Sequence, residues 1–330
     1  MAKLVLGLGS SHTPMLNTRR GEWAKFEERD AKGKFLDKDG RPARYEELRA
    51  TTGDEVRDLL SPEHMDARYD QVQDGVERIK RTIADAKLDV LLVVGDDQDE
   101  LFHSDNLPSL LIYYGETIRN TPRHLEKPNA LEWFQDARAG YYEASGERLY
   151  PGHRALALHL IAELVENEID VSTSDSITSA EGEGHAFAFI HKRLMDDETI
   201  TPIIPICLNT YYPPNQPTPR RCYRIGQALR AAVESYPEDI RVGIIASGGL
   251  SHFVVDESLD RDLIQALRDK DAQALCTVDV AKLNSGSSEI RNWICVAGAV
   301  EHLDLDWVDY VPGYRTDAGT GTGMCFAEWR

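Results

Sequence analysis

Four short apolar segments, separated by longer stretches with a helical repeat of apolar residues, constrain the fold more than any other feature of this chain. They span residues 4–8, 89–94, 203–208 and 242–246, are rich in valine, isoleucine and leucine, and are bounded by glycine, aspartate or proline. Segments of this length that are apolar almost throughout are typical of strands buried on both faces of a sheet. We therefore predict four buried strands.

Amphipathic helices are predicted between these strands. Apolar residues recur at steps of three and four within residues 69–83 and within residues 221–236, and residues 155–164 are a further helix candidate. This spacing places the apolar side chains on one face of a helix. The alternation of strands and helices predicts an α/β fold, a single domain with a central mixed, largely parallel sheet flanked by helices.

Two stretches lack these patterns. A charged insertion spans about residues 19–66, and its part 19–53 combines many charged residues and glycines with scattered aromatic residues. We expect irregular loops and short helices there, forming a lid or an interface arm. Residues 102–150 contain three prolines and are also expected to be irregular. Because the sequence has neither an internal repeat nor a convincing linker, we expect one catalytic domain over residues 1–330.

The charge of the chain excludes several kinds of partner. The formal net charge is −19 at pH 7, so no basic surface is available to neutralise nucleic-acid phosphates or to bind an anionic membrane. No apolar run approaches the length of a membrane-spanning helix, and the N-terminal run is too short for the core of a signal peptide. The five cysteines are odd in number and form no CxxC motif. We therefore expect reduced thiols and a cytoplasmic location.

Two histidines follow predicted strands. His12 lies in the segment Gly-Ser-Ser-His-Thr-Pro after the first strand, where open α/β sheets bind their ligands. A histidine that only caps the turn is the alternative. His252 ends the segment Ser-Gly-Gly-Leu-Ser-His after the last of the four strands, and its glycines permit close backbone approach. No GxSxG pattern surrounds the serine, so this is not a nucleophile elbow.

Acidic residues follow another strand and begin a predicted helix. The segment Gly-Asp-Asp-Gln-Asp-Glu at residues 95–100 carries four acids, which repel one another unless a cation or donors offset their charge. A solvated acidic turn is the alternative. Glu289 follows a serine-rich segment at a predicted helix start, where a carboxylate acts as a cap or as a ligand. Two histidines and one carboxylate from separate strand ends would suit a mononuclear non-haem Fe(II) site.

Taken together, these motifs resemble the class III extradiol ring-cleavage dioxygenases of the protocatechuate 4,5-dioxygenase catalytic-subunit type, and among these the gallate and 3-O-methylgallate dioxygenases. The resemblance is most specific over Asn-Thr-Tyr-Tyr-Pro-Pro at residues 209–214, over residues 231–239 and over Gly-Gly-Leu-Ser-His at residues 248–252. It implies a non-haem Fe(II)-dependent enzyme that uses dioxygen to open a catechol- or gallate-type ring beside its hydroxylated carbons.

Residue by residue, the resemblance implies that His12 and Glu289 bind the iron and that His252 is the acid–base histidine. His185 matches a further active-site histidine that contacts oxygen or substrate, and a packed histidine at a helix start is the alternative. Candidates for binding a substrate carboxylate or methoxy group lie near the glycine-rich C-terminus: Tyr314, Arg315 and Thr320.

The chain departs from the family at one ligand position. Where relatives of the protocatechuate type have their second histidine ligand, in an Asn-Asp-His segment, this chain has Gln98. An amide oxygen binds iron less tightly than imidazole does. We expect Gln98 to lie within reach of the metal and to bind it weakly or to hold a coordinating water, with His103 or Asp97 as alternative ligands.

A small aromatic substrate and dioxygen are the partners that the resemblance implies, and we also expect a homo-oligomer, a dimer. Two other classes of function are open: a metal-dependent hydrolase or lyase on the same scaffold, and a non-catalytic relative. The presence of His12, His252 and Glu289 together argues against the non-catalytic relative.

Overall fold

The structure, a computed structural model, describes residues 1–123, 131–177, 179 and 182–330. Within these ranges the strands are β1 (Lys3–Ser10), β2 (Lys34–Leu36), β3 (Pro42–Arg44), β4 (Val90–Asp96), β5 (Leu110–Tyr113), β6 (Thr117–Asn120), β7 (Arg148–Pro151), β8 (Ser172–Ser174), β9 (Ile203–Leu208), β10 (Arg241–Ser247), β11 (His252–Val254), β12 (Leu305–Tyr314) and β13 (Thr320–Trp329). The helices are α1 (Phe26–Asp30), α2 (Tyr45–Thr51), α3 (Asp54–Asp58), α4 (Pro62–Ala86), α5 (Glu132–Ala139), α6 (Arg154–Glu166), α7 (His185–Arg193), α8 (Pro219–Ser235), α9 (Glu257–Asp269), α10 (Ala272–Cys276) and α11 (Ile290–Ala299).

A central mixed sheet organises the fold. Its strand order is β11-β13-β1-β10-β4-β9-β5-β8, and β12 pairs with the outer part of this sheet through β13. The four middle strands, β1, β10, β4 and β9, are parallel neighbours, whereas β13 runs antiparallel to β1 and β5 runs antiparallel to β9. The prediction of an α/β domain with a mixed, largely parallel sheet is therefore confirmed.

The four predicted strands correspond to β1, β4, β9 and β10, and the three predicted helices correspond to α4, α6 and α8. None of the helices in the described ranges combines the length and apolarity needed to cross a membrane. Residues 102–150 are more regular than expected, since the described part contains β5, β6, α5 and most of β7. β5 was missed because it is only four residues long and its conformation is set by pairing with β9.

Helices cover both faces of the sheet, which explains why the central strands are apolar throughout. In β4, Val90, Leu92 and Val94 pack into the layer formed with α6, α8 and α11. Leu91 and Val93 point the opposite way, into the layer formed with α4 and α7. Successive side chains of a strand alternate between faces, so a strand covered on both sides needs an apolar residue at nearly every position.

Parallel pairing brings the predicted site segments to one edge of the sheet. Ser10 at the end of β1 is in register with Ser247 at the end of β10, and β4 ends at Asp96 opposite Leu208. The segments that follow β1, β4 and β10 carry His12, Gln98 and His252. Because the carboxyl ends of parallel strands meet at the same edge, segments far apart in sequence converge there.

Candidate metal centre

A cavity of about 290 Å³ opens at this edge of the sheet. Six of the eight predicted site residues line it: His12, Gln98, His185, His252, Glu289 and Arg315. A cavity of this size can hold a single substituted aromatic ring. The structure therefore brings together most of the residues that the sequence singled out.

His12 presents one ring nitrogen to the site with its lone pair free. The Ser247 hydroxyl donates to the Ala186 carbonyl oxygen at 2.7 Å, so its oxygen is left to accept from His12 Nδ1 at 3.0 Å. In its neutral form the imidazole then carries its proton on Nδ1, and Nε2 has the lone pair. His12 Nε2 is buried, has no hydrogen-bond partner among the described residues, and lies 3.5 Å from Glu289 Oε2. This is the state in which imidazole binds a metal ion.

Glu289 is buried at the point where a 3₁₀ helix, Ser285–Glu289, leads into α11. Its Oε2 accepts the backbone N–H of Gly249 at 2.7 Å. Burial alone would raise the pKa of this carboxyl group, but the nearby His252 and His12 lower it well below its ordinary value. Gly248 adopts a φ of 153°, and a Cβ there would lie 2.9 Å from Glu289 Oε2. The glycine is thus needed for the carboxylate to approach the loop.

Gln98 connects two buried carboxylates. Its Nε2 donates to Asp96 Oδ2 at 3.3 Å and to Glu289 Oε1 at 3.2 Å. Asp96 is fully buried, its Oδ1 has no hydrogen-bond partner among the described residues, and burial together with the charge of Glu289 raises its pKa. Gln98 therefore lies beside the candidate ligands, and its direct binding of a metal stays a prediction.

The two alternative ligands near Gln98 lie elsewhere. His103 is exposed, and its Nδ1 contacts Asp99 at 2.7 Å. The Asp97 carboxylate accepts three backbone N–H groups, those of Glu100, Leu101 and Phe102. Asp97 thus holds the turn after β4 in place, and neither residue lines the cavity.

His252, the first residue of β11, is oriented by its own loop. Its Nδ1 lies 2.9 Å from the Leu250 carbonyl oxygen, which can only accept, so Nδ1 carries the proton. The Nε2 atom is left with the lone pair and lies 3.7 Å from Glu289 Oε2. Burial lowers the pKa of His252 below its ordinary value. At neutral pH this side chain is therefore a neutral imidazole that can accept a proton.

His185 begins α7, and its ring centroid lies 4.6 Å from that of His12. Its Nδ1 contacts Glu100 Oε2 at 2.6 Å, and Glu100 also binds Arg123. Burial alone would lower the pKa of His185, but the charge and hydrogen bond of Glu100 raise it to about 9. Because Glu100 contacts Nδ1, Nε2 is the ring nitrogen of His185 that is available to a ligand in the cavity.

The predicted substrate-binding residues separate into two groups. Arg315 lines the cavity, but its guanidinium is bound to Asp30 of α1 at 2.7 and 3.2 Å. The Thr320 hydroxyl donates to the same carboxylate at 2.7 Å. The Tyr314 hydroxyl donates to Glu257 at 3.0 Å. Tyr314 lines a different cavity, beside the insertion. Tyr314 and Thr320 thus stay outside the lining of the candidate cavity.

Two arginines that the sequence did not single out also line the cavity. Arg29 comes from α1 in the insertion and Arg138 from α5. In the ranges that the structure describes, neither guanidinium has a hydrogen bond or ion pair, although that of Arg29 lies 4.4 Å from the Phe134 ring centroid. Burial and the nearby charge of Arg315 lower the pKa of Arg29 to about 10, so it stays charged at neutral pH. Both residues lie in stretches without a regular pattern, which is why the sequence offered no signal for them.

The fold and this site together define a class of protein. The imidazoles of His12, His185 and His252 and the buried carboxylates of Asp96 and Glu289 converge near the strand ends of an α/β sheet, beside an open cavity. Two of their ligand-type atoms, His12 Nε2 and Asp96 Oδ1, are buried without a partner among the described residues, so the residues present fit a divalent cation. This donor set is that of mononuclear non-haem metal centres.

Comparison with known proteins gives the family. Residues 59–323 match the family described as the catalytic LigB subunit of aromatic ring-opening dioxygenase, and the chain belongs to this family. A gallate dioxygenase of Pseudomonas putida is 40% identical over 108 residues, which are 32% of this chain and 30% of that relative. The match thus spans less than a third of the relative's length. The resemblance predicted from the sequence motifs is confirmed.

Proposed function

We propose that this protein is a non-haem Fe(II)-dependent dioxygenase that performs extradiol cleavage of a carboxylated catechol or gallate-type ring. The observation that carries the proposal is the free Nε2 of His12, buried beside Glu289 and Asp96 at the wall of an open cavity. A buried polar atom without a partner costs about 1–3 kcal/mol, and a bound cation removes that cost. Membership of the ring-opening family indicates which reaction such a centre would perform.

His12 and Glu289 are the proposed iron ligands, and His252 is the proposed acid–base residue. When bound, the metal would bring the ring oxygens and dioxygen together and pass electrons between them. His252 would take a proton from a ring hydroxyl at Nε2, since Nδ1 is held by the Leu250 carbonyl oxygen. Its depressed pKa keeps Nε2 unprotonated at neutral pH, and the same atom would return the proton later.

The substrate class is inferred from the positive charge of the cavity. Three arginines line it, of which Arg315 is neutralised by Asp30 whereas Arg29 and Arg138 have no ion pair within the described residues. Such charge stands out in a chain with a net charge of −19. Guanidinium groups bind carboxylates through paired, charge-assisted hydrogen bonds. We therefore propose that Arg29 and Arg138 bind a carboxylate on the aromatic ring.

Oxygen uptake by anaerobically Fe(II)-loaded protein tests the reaction. Catechol, protocatechuate, gallate and 3-O-methylgallate form the panel, and we expect one dioxygen consumed per ring opened on at least one carboxylated substrate. Absence of uptake on every compound would contradict the proposal. Oxygen-independent turnover would instead favour the hydrolase or lyase alternative.

Gallate and pyrogallol are a matched pair for the arginines, because they differ only in the carboxylate. Arg29→Met and Arg138→Met should each raise KM for gallate about 10- to 100-fold, since a hydrogen bond to a charged group is worth about 1.5–3 kcal/mol. The KM for pyrogallol should change less than about 3-fold. Arg57→Met, in an exposed ion pair with Asp54, is the control. Equal effects on both substrates would contradict the assignment.

We also propose a cytoplasmic location, which the five free cysteine thiols support. The dimer expected from the sequence stays a prediction.

A further inference from the structure

Three ligand-type atoms from distant segments face one another next to the cavity. His12, Asp96 and His185 each contribute one such atom, and these atoms lie within 4.8 Å of one another. Ligand atoms around one divalent ion are about 3–4 Å apart, so a small contraction would place them on a common ion. His12 Nε2 and Asp96 Oδ1 are buried and have no other partner in the part of the chain that the structure describes.

Both histidines of this group have their Nδ1 atom hydrogen-bonded to another side chain. His12 Nδ1 bonds the Ser247 hydroxyl, and His185 Nδ1 bonds the Glu100 carboxylate. Glu100 is fixed in turn by the backbone N–H of His185 at 2.9 Å and by Arg123. A histidine that binds a metal almost always donates its other N–H group to a carboxylate or another acceptor, which orients the ring. His185 has this arrangement, and a histidine that merely packs at a helix start does not need it.

Gln98 is arranged as a hydrogen-bond donor instead. Its amide nitrogen faces Asp96 and Glu289, one contact to each carboxylate. An amide nitrogen has no lone pair available for a metal, so the atom that Gln98 presents to the two carboxylates is a hydrogen-bond donor and not a ligand atom. Two buried like charges repel one another, and a donor between them offsets that repulsion.

We infer that Asp96 and His185 join His12 and Glu289 as metal ligands, and that Gln98 orients the two carboxylates without binding the metal. The inference rests on the proposed function, since it concerns the same metal centre. Two histidines and two carboxylates balance the charge of a divalent ion. The added carboxylate makes the donor set harder, which suits Fe(II) and Mn(II).

Counting the imidazole nitrogens bound to Mn²⁺ tests the inference without an activity assay. Metal-free protein is loaded with Mn²⁺, and electron spin-echo modulation is compared for unlabelled and ¹⁵N-histidine protein. We expect two bound imidazoles in wild type and in Gln98→Ala, and one in His185→Gln. One bound imidazole in wild type, or two in His185→Gln, would overturn this inference but leave the proposed function standing. Wild-type protein that binds neither Mn²⁺ nor Fe²⁺ would overturn the proposed function as well.

The role of Asp96 is tested by Mn²⁺ affinity, measured by titration calorimetry on metal-free protein. Asp96→Asn should weaken binding at least about 100-fold, whereas Gln98→Ala should stay within about 10-fold, the lower end for residues that only support ligands. Asp97→Asn removes the same charge one residue away and is the matched control. Asp96→Asn within 10-fold of wild type, or a larger loss in Gln98→Ala, would overturn the inference. Circular dichroism checks folding, and a single bound imidazole in wild type would overturn the role of His185 even if a variant does not fold.

Discussion

Asp30→Ala should destabilise the protein by about 3–5 kcal/mol, because it leaves a buried guanidinium without its counter-charge. Arg315 donates to both oxygens of Asp30 at 2.7 and 3.2 Å, and the Thr320 hydroxyl donates to one of them at 2.7 Å. The side chains of Asp30 and Arg315 are only 2% and 3% exposed, so little water can replace the lost carboxylate. The Phe26 ring, 4.4 Å from the guanidinium carbon, offers no hydrogen-bond acceptor of comparable strength.

This loss should be visible in the thermal midpoint. An unfolding entropy of about 2.1 cal/mol/K per residue gives roughly 0.7 kcal/mol/K for a chain of 330 residues. The expected decrease in Tm is therefore about 4–7 °C, measured by circular dichroism and compared with urea unfolding. The double variant Asp30→Leu/Arg315→Met should recover most of the stability, because no charge is then left buried without a partner.

Asp54→Ala is the matched control for the loss of an acid from an ion pair. Asp54 and its partner Arg57 are 89% and 46% exposed, so this change should cost less than about 1 kcal/mol. The reasoning would be refuted if Asp30→Ala cost no more than Asp54→Ala, or if the double variant were no more stable than Asp30→Ala.

Three further changes test the site and the packing. His252→Ala should keep its metal and lose about 10²- to 10⁴-fold in kcat, and loss of metal would contradict its acid–base role. Because Glu100 raises the pKa of His185 from 6.5 to about 9, their contact stabilises the metal-free protein fully below pH 6.5 and loses this effect as the pH rises through 9. Wild type should have a higher free energy of unfolding in urea than His185→Gln, by on the order of 3 kcal/mol at most, and this difference should shrink between pH 6.5 and 9. A difference that stays constant over this range would contradict the stabilising contact with Glu100. Gly226→Ala should lower the free energy of unfolding by on the order of 3 kcal/mol, because the added Cβ would lie 1.8 Å from the Cys295 carbonyl oxygen where α8 packs on α11. A decrease of less than about 1 kcal/mol would contradict this close packing.

Much of the central sheet could be predicted from the sequence because its signal is local. A strand covered on both faces needs apolar side chains at successive positions, and β1, β4, β9 and β10 have them. β5 has the same burial but only four residues, too few to distinguish from other short apolar runs. The loops after the parallel strands could be predicted as the site for a similar reason, since strand direction alone brings their carboxyl ends to one edge.

By itself, then, the sequence determined the fold class, the family motifs and which loops converge at the site. Only the tertiary structure decided what each polar side chain contacts there. Asp30 and Arg315 are 285 residues apart in sequence yet share a buried ion pair, to which the Thr320 hydroxyl also donates. Arg29, next to Asp30, lines the cavity, whereas Thr320 does not. Likewise, the sequence motifs predict Gln98 at the place of a family ligand, but the packing turns its amide nitrogen toward two carboxylates. Local sequence sets the backbone direction of a loop, whereas the partner of a side chain depends on which distant segments pack against that loop.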